Sequence, residues 1–98
     1  MTDEFFLDYC KKRIKIYYLD YMALPIDRDI KLVWFCKTIQ NFKAIMFVPP
    51  MQGKQDDKPI TINGKFIECS YNGDKDELYM DIYEKQNKKI YHLNSMIE

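Results

Sequence analysis

The clearest helical periodicity in this sequence lies at its start, and the apolar runs that follow, before the tail, alternate instead. Across TDEFFLDYCKKRIKIYYLDYMALP, Leu7, Cys10, Ile14, Tyr17, Tyr18 and Tyr21 recur at helical spacings and make one apolar stripe. Glu4, Asp8, Lys11, Lys12 and Lys15 gather on the opposite side, where Asp8 can pair with Lys11 and Lys12. Thr2 or Asp3 can cap the start, and Asp3 and Glu4 suit its positive end. Pro25 disfavours helical geometry at Leu24, so the helix is expected to stop there.

Strand patterns follow. In IKLVWFCKTI, residues 30–39, Ile30, Leu32, Trp34 and Cys36 alternate onto one face, with Val33 and Phe35 on the other between Lys31 and Lys37. FKAIMFV is the next strand, joined through a short turn at Gln40-Asn41. One of its faces carries Phe42, Ala44, Met46 and Val48, the other Lys43, Ile45 and Phe47. Residues 49–59, PPMQGKQDDKP, read as the one long polar loop. Asn63-Gly64 signals a hairpin, after which Ile67, Cys69 and Tyr71 alternate. NGDKDE is a second turn. LYMDIY then places Leu78, Met80 and Ile82 on one face and Tyr79 and Tyr83 on the other. The tail, residues 77–98, fits either a hairpin turning at KQNK or a helix. The strand formers in LYMDIY and IYHL favour the hairpin.

The expected fold is therefore α+β: an N-terminal helix packed on an antiparallel sheet of about five to six strands. All 98 residues fit a single domain, 1–98. A chain of this length can bury roughly 60–70% of its unfolded surface, so a core without crosslinks is feasible.

Several kinds of chemistry find no support. Fifteen basic residues balance fifteen acidic ones, which leaves no global field for phosphates. The densest basic run, KKRIK from Lys11 to Lys15, reads as a solvated helix face, so nucleic-acid binding is not favoured. Cys10, Cys36 and Cys69 include no C-x-x-C pair, and their odd number argues against a disulfide framework. Free thiols, a cytoplasmic location and no metal are expected. His92 is the single histidine, and no nucleophile motif surrounds it or the cysteines, so no catalytic residue is assigned. NGDKDE lacks the full spacing and distal glutamate of a calcium loop. PPMQGK has too few glycines to cradle a phosphate, so no cofactor is expected. The acidic start lacks a basic n-region, against a signal peptide, and no run approaches a membrane span.

What stands out is a second apolar face. With one sheet face under the helix, the other would carry Val33, Phe35, Ile45, Phe47, Tyr79 and Tyr83, among Lys31, Lys37, Lys43 and Asp81. A solvated face of an antiparallel sheet is mainly polar. Only one strong helix is present to cover a sheet, and large exposed apolar patches are uncommon on monomers. The sequence thus points to a small protein–protein interaction module of the inhibitor, immunity or phage/plasmid-type regulatory kind. Those six residues would contact a protein partner or a second copy in a homodimer. A ligand-binding or enzymatic domain with a pocket between helix and sheet is the alternative.

Overall fold

The structure, a computed structural model, describes residues 1–84, 89, 91 and 92. Helix α1 (Asp3–Met22) leads into strands β1 (Lys31–Thr38), β2 (Asn41–Val48), β3 (Met51–Gln55), β4 (Lys58–Ile62), β5 (Lys65–Asn72) and β6 (Glu77–Tyr83). The fold is α+β. The six strands divide into a four-stranded antiparallel sheet, ordered β1-β2-β5-β6, and a β3-β4 hairpin inserted between β2 and β5. Of the tail expected as a hairpin, residues 77–83 are strand, and Tyr91 and His92 carry no strand assignment. The KQNK turn lies outside the described residues.

Helix α1 begins where Thr2 accepts a hydrogen bond from the Phe5 amide at 3.1 Å, with Asp3 and Glu4 in the first turn. It ends two residues earlier than Pro25 requires. Ala23 turns left-handed at φ 50°, and the amides of Ala23 and Leu24 close onto the Leu19 and Tyr18 carbonyls. Its buried side chains are Phe6, Cys10, Ile14 and Tyr18, a stripe stepping by four. Tyr21, expected in that stripe, is 78% exposed, and Phe6, not expected there, is buried.

The stripe closes over the inner sheet face. Phe42, Ala44, Met46 and Val48 of β2 are buried in alternation, as expected, and meet Ile67 and Cys69 of β5. Cys10 and Cys69 share the centre of this core, and the Cys69 thiol together with burial pushes the Cys10 thiol up. All three cysteines are free.

Three turns depart from the sequence reading. Residues 49–59 are not a loop. Met51–Gln55 and Lys58–Ile62 pair in register about Asp56 and Asp57, both at positive φ, 54° and 62°. Two left-handed residues are what a tight type I′ hairpin demands, and aspartate tolerates that region. Asn63-Gly64, in contrast, is no hairpin. It joins β4 to β5, which pair with different strands. Gly64 is needed for close approach: a Cβ there would lie 2.7 Å from the Phe47 ring.

The third departure is the β1–β2 turn, which centres on Ile39 and Gln40. Ile39 is 87% exposed and held at φ 55°, a region costly for a β-branched residue. Replacing it with glycine removes that cost and no buried contact. Ile39→Gly is expected to stabilise the fold by about 1 kcal/mol in urea melts.

Tyr18 carries a different strain. Its side chain is fully buried and its hydroxyl has no hydrogen-bond partner among the described residues. Burial, with lesser effects from Tyr17 and Glu84, pushes the phenol up to about 12 from 10.0. A raised folded pKa means the folded state holds the proton more tightly. That contribution is complete below about pH 10 and is lost as pH rises through about 12. About 2–3 kcal/mol should disappear over that window. Tyr18→Phe should flatten the alkaline loss relative to wild type. Near neutral pH it should be as stable or about 1 kcal/mol more so, because the orphaned hydroxyl is gone. Paired urea melts at pH 8 and at about pH 12 check both signs.

Candidate interaction surface

The strand register determines what the outer face displays. Residues paired across an antiparallel sheet share a face. Three full cross-strand rows point away from α1: Lys31-Phe47-Phe66-Tyr83, Trp34-Ile45-Glu68-Asp81 and Cys36-Lys43-Ser70-Tyr79, with the pairs Thr38-Asn41 and Asn72-Glu77 beyond the last. Ile45, Phe47, Tyr79 and Tyr83, expected on this face, are on it.

Phe35 is not. The β1–β2 register shifts between Leu32 and Trp34, leaving Val33 as an extra residue in a β-bulge. From that point every β1 side chain is reversed relative to strict alternation. Trp34 and Cys36, expected inside, face outward, and Phe35 turns inward opposite Ala44. Its ring lies 6.1 Å from Phe6 and 6.3 Å from Phe42, so it belongs to the core margin. Lys37 moves with it, opposite Phe42. Its ammonium sits 3.7 Å from Asp3 and 5.2 Å from the Phe42 ring centroid. Val33 itself is 53% exposed at the bulge.

Sequence reasoning missed three hydrophobic members of the outer face, Trp34, Cys36 and Phe66. Phe66 was legible: Ile67, Cys69 and Tyr71 alternate inward, so Phe66 must lie outward. Trp34 and Cys36 were not, since nothing local in KLVWFC marks Val33 as the bulge.

The face carries apolar side chains on either side of a polar strip, the Lys43–Glu68 pair and Ser70, on its two central strands. Trp34, Phe66, Tyr79 and Tyr83 are 46%, 47%, 45% and 54% exposed. Phe47 packs on Phe66 with centroids 4.9 Å apart, and Ile45 lies between Trp34 and Glu68. Lys43 and Glu68 pair at 3.2 Å. The Glu68 carboxylate is the main influence holding the Tyr83 phenol above its usual pKa, and the hydrogen bond to Glu77 does the same at Tyr79. Both phenols therefore stay neutral donors at physiological pH. A trough of about 460 Å³ runs between Trp34 and Tyr79, with Cys36, Lys43 and Ser70 along it.

Cys10, Ile14, Ala44, Met46, Ile67 and Cys69 are fully buried where α1 crosses the sheet. A second groove, of about 450 Å³, lies at the margin where α1 passes β6. No helix among the described residues is long and apolar enough to cross a membrane.

A family model described as "Family of unknown function (DUF6275)" matches residues 3–93. The chain belongs to the DUF6275 family. The matched span takes in α1 and every strand from β1 to β6, so the outer face of this DUF6275 chain lies within it. No curated protein and no solved structure matches the chain.

Proposed function

We propose that this chain is a non-catalytic binding module of the cytoplasm that contacts a partner protein through the outer face of its four-stranded sheet. Inhibitors, immunity proteins and small regulators work in this way, by presenting a rigid surface. One observation carries the reading: four large aromatic side chains, Trp34, Phe66, Tyr79 and Tyr83, stand half-exposed together on a sheet face that no described element covers. Tryptophan and tyrosine are the side chains most enriched at the energetic centres of interfaces, and patches of this kind are uncommon on monomers. The free cysteines fit a reducing compartment.

Trp34→Ala and Phe66→Ala test it. Each removes a side chain nearly half-exposed in the free protein, so each should keep stability to within about 1 kcal/mol. Each should also lower affinity for the partner by at least about tenfold, a loss of roughly 1.4 kcal/mol or more. The partner is the protein that co-precipitates from native cells with wild type and with Lys12→Ala, whose change lies on the opposite side of the molecule. Light scattering over a concentration series reports whether that partner is a second copy. Losses of about 3 kcal/mol in the melts would place these residues in a closed core instead. Undiminished capture by both variants would contradict the proposed surface.

A further inference from the structure

The edges of the four-stranded sheet differ. Strand β1 is guarded: it is bulged at Val33 and carries Lys31 and Lys37. Bulges and edge lysines are standard means of blocking unwanted strand pairing. Strand β6 has neither. It runs from Glu77 to Tyr83 in unbroken register with β5, without proline, and β5 is its one neighbour. Its far edge therefore presents backbone N–H and C=O groups with no strand partner among the described residues.

Beside that edge lies the groove of about 450 Å³. One wall is the flank of α1 with Ile16 and Tyr17. The other is the inner side of β6 with Leu78 and Met80. Arg13 and Asp20 also line it. A strand paired to β6 would lie about 4.8 Å further out, and every second side chain would point towards α1 and into this groove. The intervening side chains would run beside the outward column of β6, Glu77-Tyr79-Asp81-Tyr83. Neither Glu77 nor Asp81 has an ion-pair partner among the described residues, whereas Glu68 and Glu84 are each paired with a lysine. Cross-strand opposite charges attract and like charges repel.

We propose that the β6 edge and its groove form a strand-addition site for an extended segment of a partner protein that alternates apolar residues with lysine or arginine. The backbone ladder supplies affinity, the groove selects the apolar positions, and the carboxylates of Glu77 and Asp81, which have no ion-pair partner among the described residues, select basic residues over acidic ones. This site borders the outer face along the Glu77-Tyr79-Asp81-Tyr83 column, but its backbone ladder and its groove against α1 lie outside that face.

The full-length chain, isotope-labelled, is titrated with a short synthetic peptide alternating valine and lysine, and amide and ring signals are followed by NMR. Shifts and slowed hydrogen exchange are expected along Leu78–Ile82, with Tyr17 ring shifts. A valine–glutamate peptide should bind at least about tenfold more weakly. N-methylation of the ladder-facing amides should abolish binding. Asp81→Lys should reduce or reverse the preference for lysine, and Trp34→Ala should leave it unchanged. The proposal is overturned by silence at β6, including silence because the chain's own tail already fills the edge. Shifts confined to the outer face, or equal binding of the lysine and glutamate peptides, would overturn it as well.

Discussion

Ile14→Asp should unfold the protein or bring it close to unfolding, while Lys12→Asp, two positions away, should be almost silent. Ile14 is fully buried in the stripe that α1 presses onto β2 and β5. An aspartate there would sit in the buried cluster that includes Cys10, Tyr18, Met46 and Ile67, which among the described residues contains no charged side chain to balance it. Removing the apolar side chain and burying a carboxylate together cost about 4 kcal/mol or more. Small domains have only about 5–15 kcal/mol in total. Lys12 is exposed, and its replacement should stay within about 0.5 kcal/mol. Circular dichroism melts of the two variants provide the comparison. Equal stability would mean that α1 does not pack by this face.

Phe6→Ala is the second large effect expected. Phe6 is 1% exposed, and its ring lies 5.1 Å from Phe42 and 6.1 Å from Phe35. Its truncation empties the junction of α1, β1 and β2, for an expected loss of about 3–5 kcal/mol. Phe5 is 58% exposed and stacks on Tyr9 outside the core, so Phe5→Ala should cost less than about 1 kcal/mol. Thermal or urea melts separate the two. A similar small loss in both variants would show that the N-terminal turn of α1 is not docked.

These two sites mark where the sequence was and was not legible. Cys10, Ile14 and Tyr18 follow from the spacing alone, because a 3.6-residue period leaves little freedom over three turns. The first turn was ambiguous: Phe5, Phe6 and Leu7 are all apolar, so periodicity cannot select among them. Only the angle at which α1 lies on the sheet does so. The β2 face was legible for the opposite reason, since FKAIMFV alternates cleanly and the extra residue of the β1–β2 pairing lies on β1, so β2 keeps its own period.

The β1 error has a different origin. A bulge inserts one residue into a period of two, so every side chain beyond Val33 changes face. The information that places the bulge lies in the pairing of β1 with β2, not in β1 itself. The same non-local logic misled the reading at Asn63-Gly64. There a strong local hairpin signal is overruled because β5 pairs with β2 and leaves β3-β4 as an insertion. At Asp56-Asp57 the hairpin signal was present but weak, carried by two aspartates in place of the commoner glycine-containing pair. The consequence for the outer face was partial. Ile45, Phe47, Tyr79 and Tyr83 were assigned to it from alternation alone, Phe35 was assigned wrongly, and Trp34 was missed.

Position-specific photo-crosslinking in native cells tests the account most directly. A photoreactive phenylalanine analogue is placed in turn at Trp34, Phe66 and Tyr79 on the outer face, and at Lys12 on the exposed side of α1. If the outer face is the working surface, all three sheet positions trap one and the same protein and the Lys12 position does not. Trapping of that protein from Lys12 alone, or no dependence on position, would contradict it.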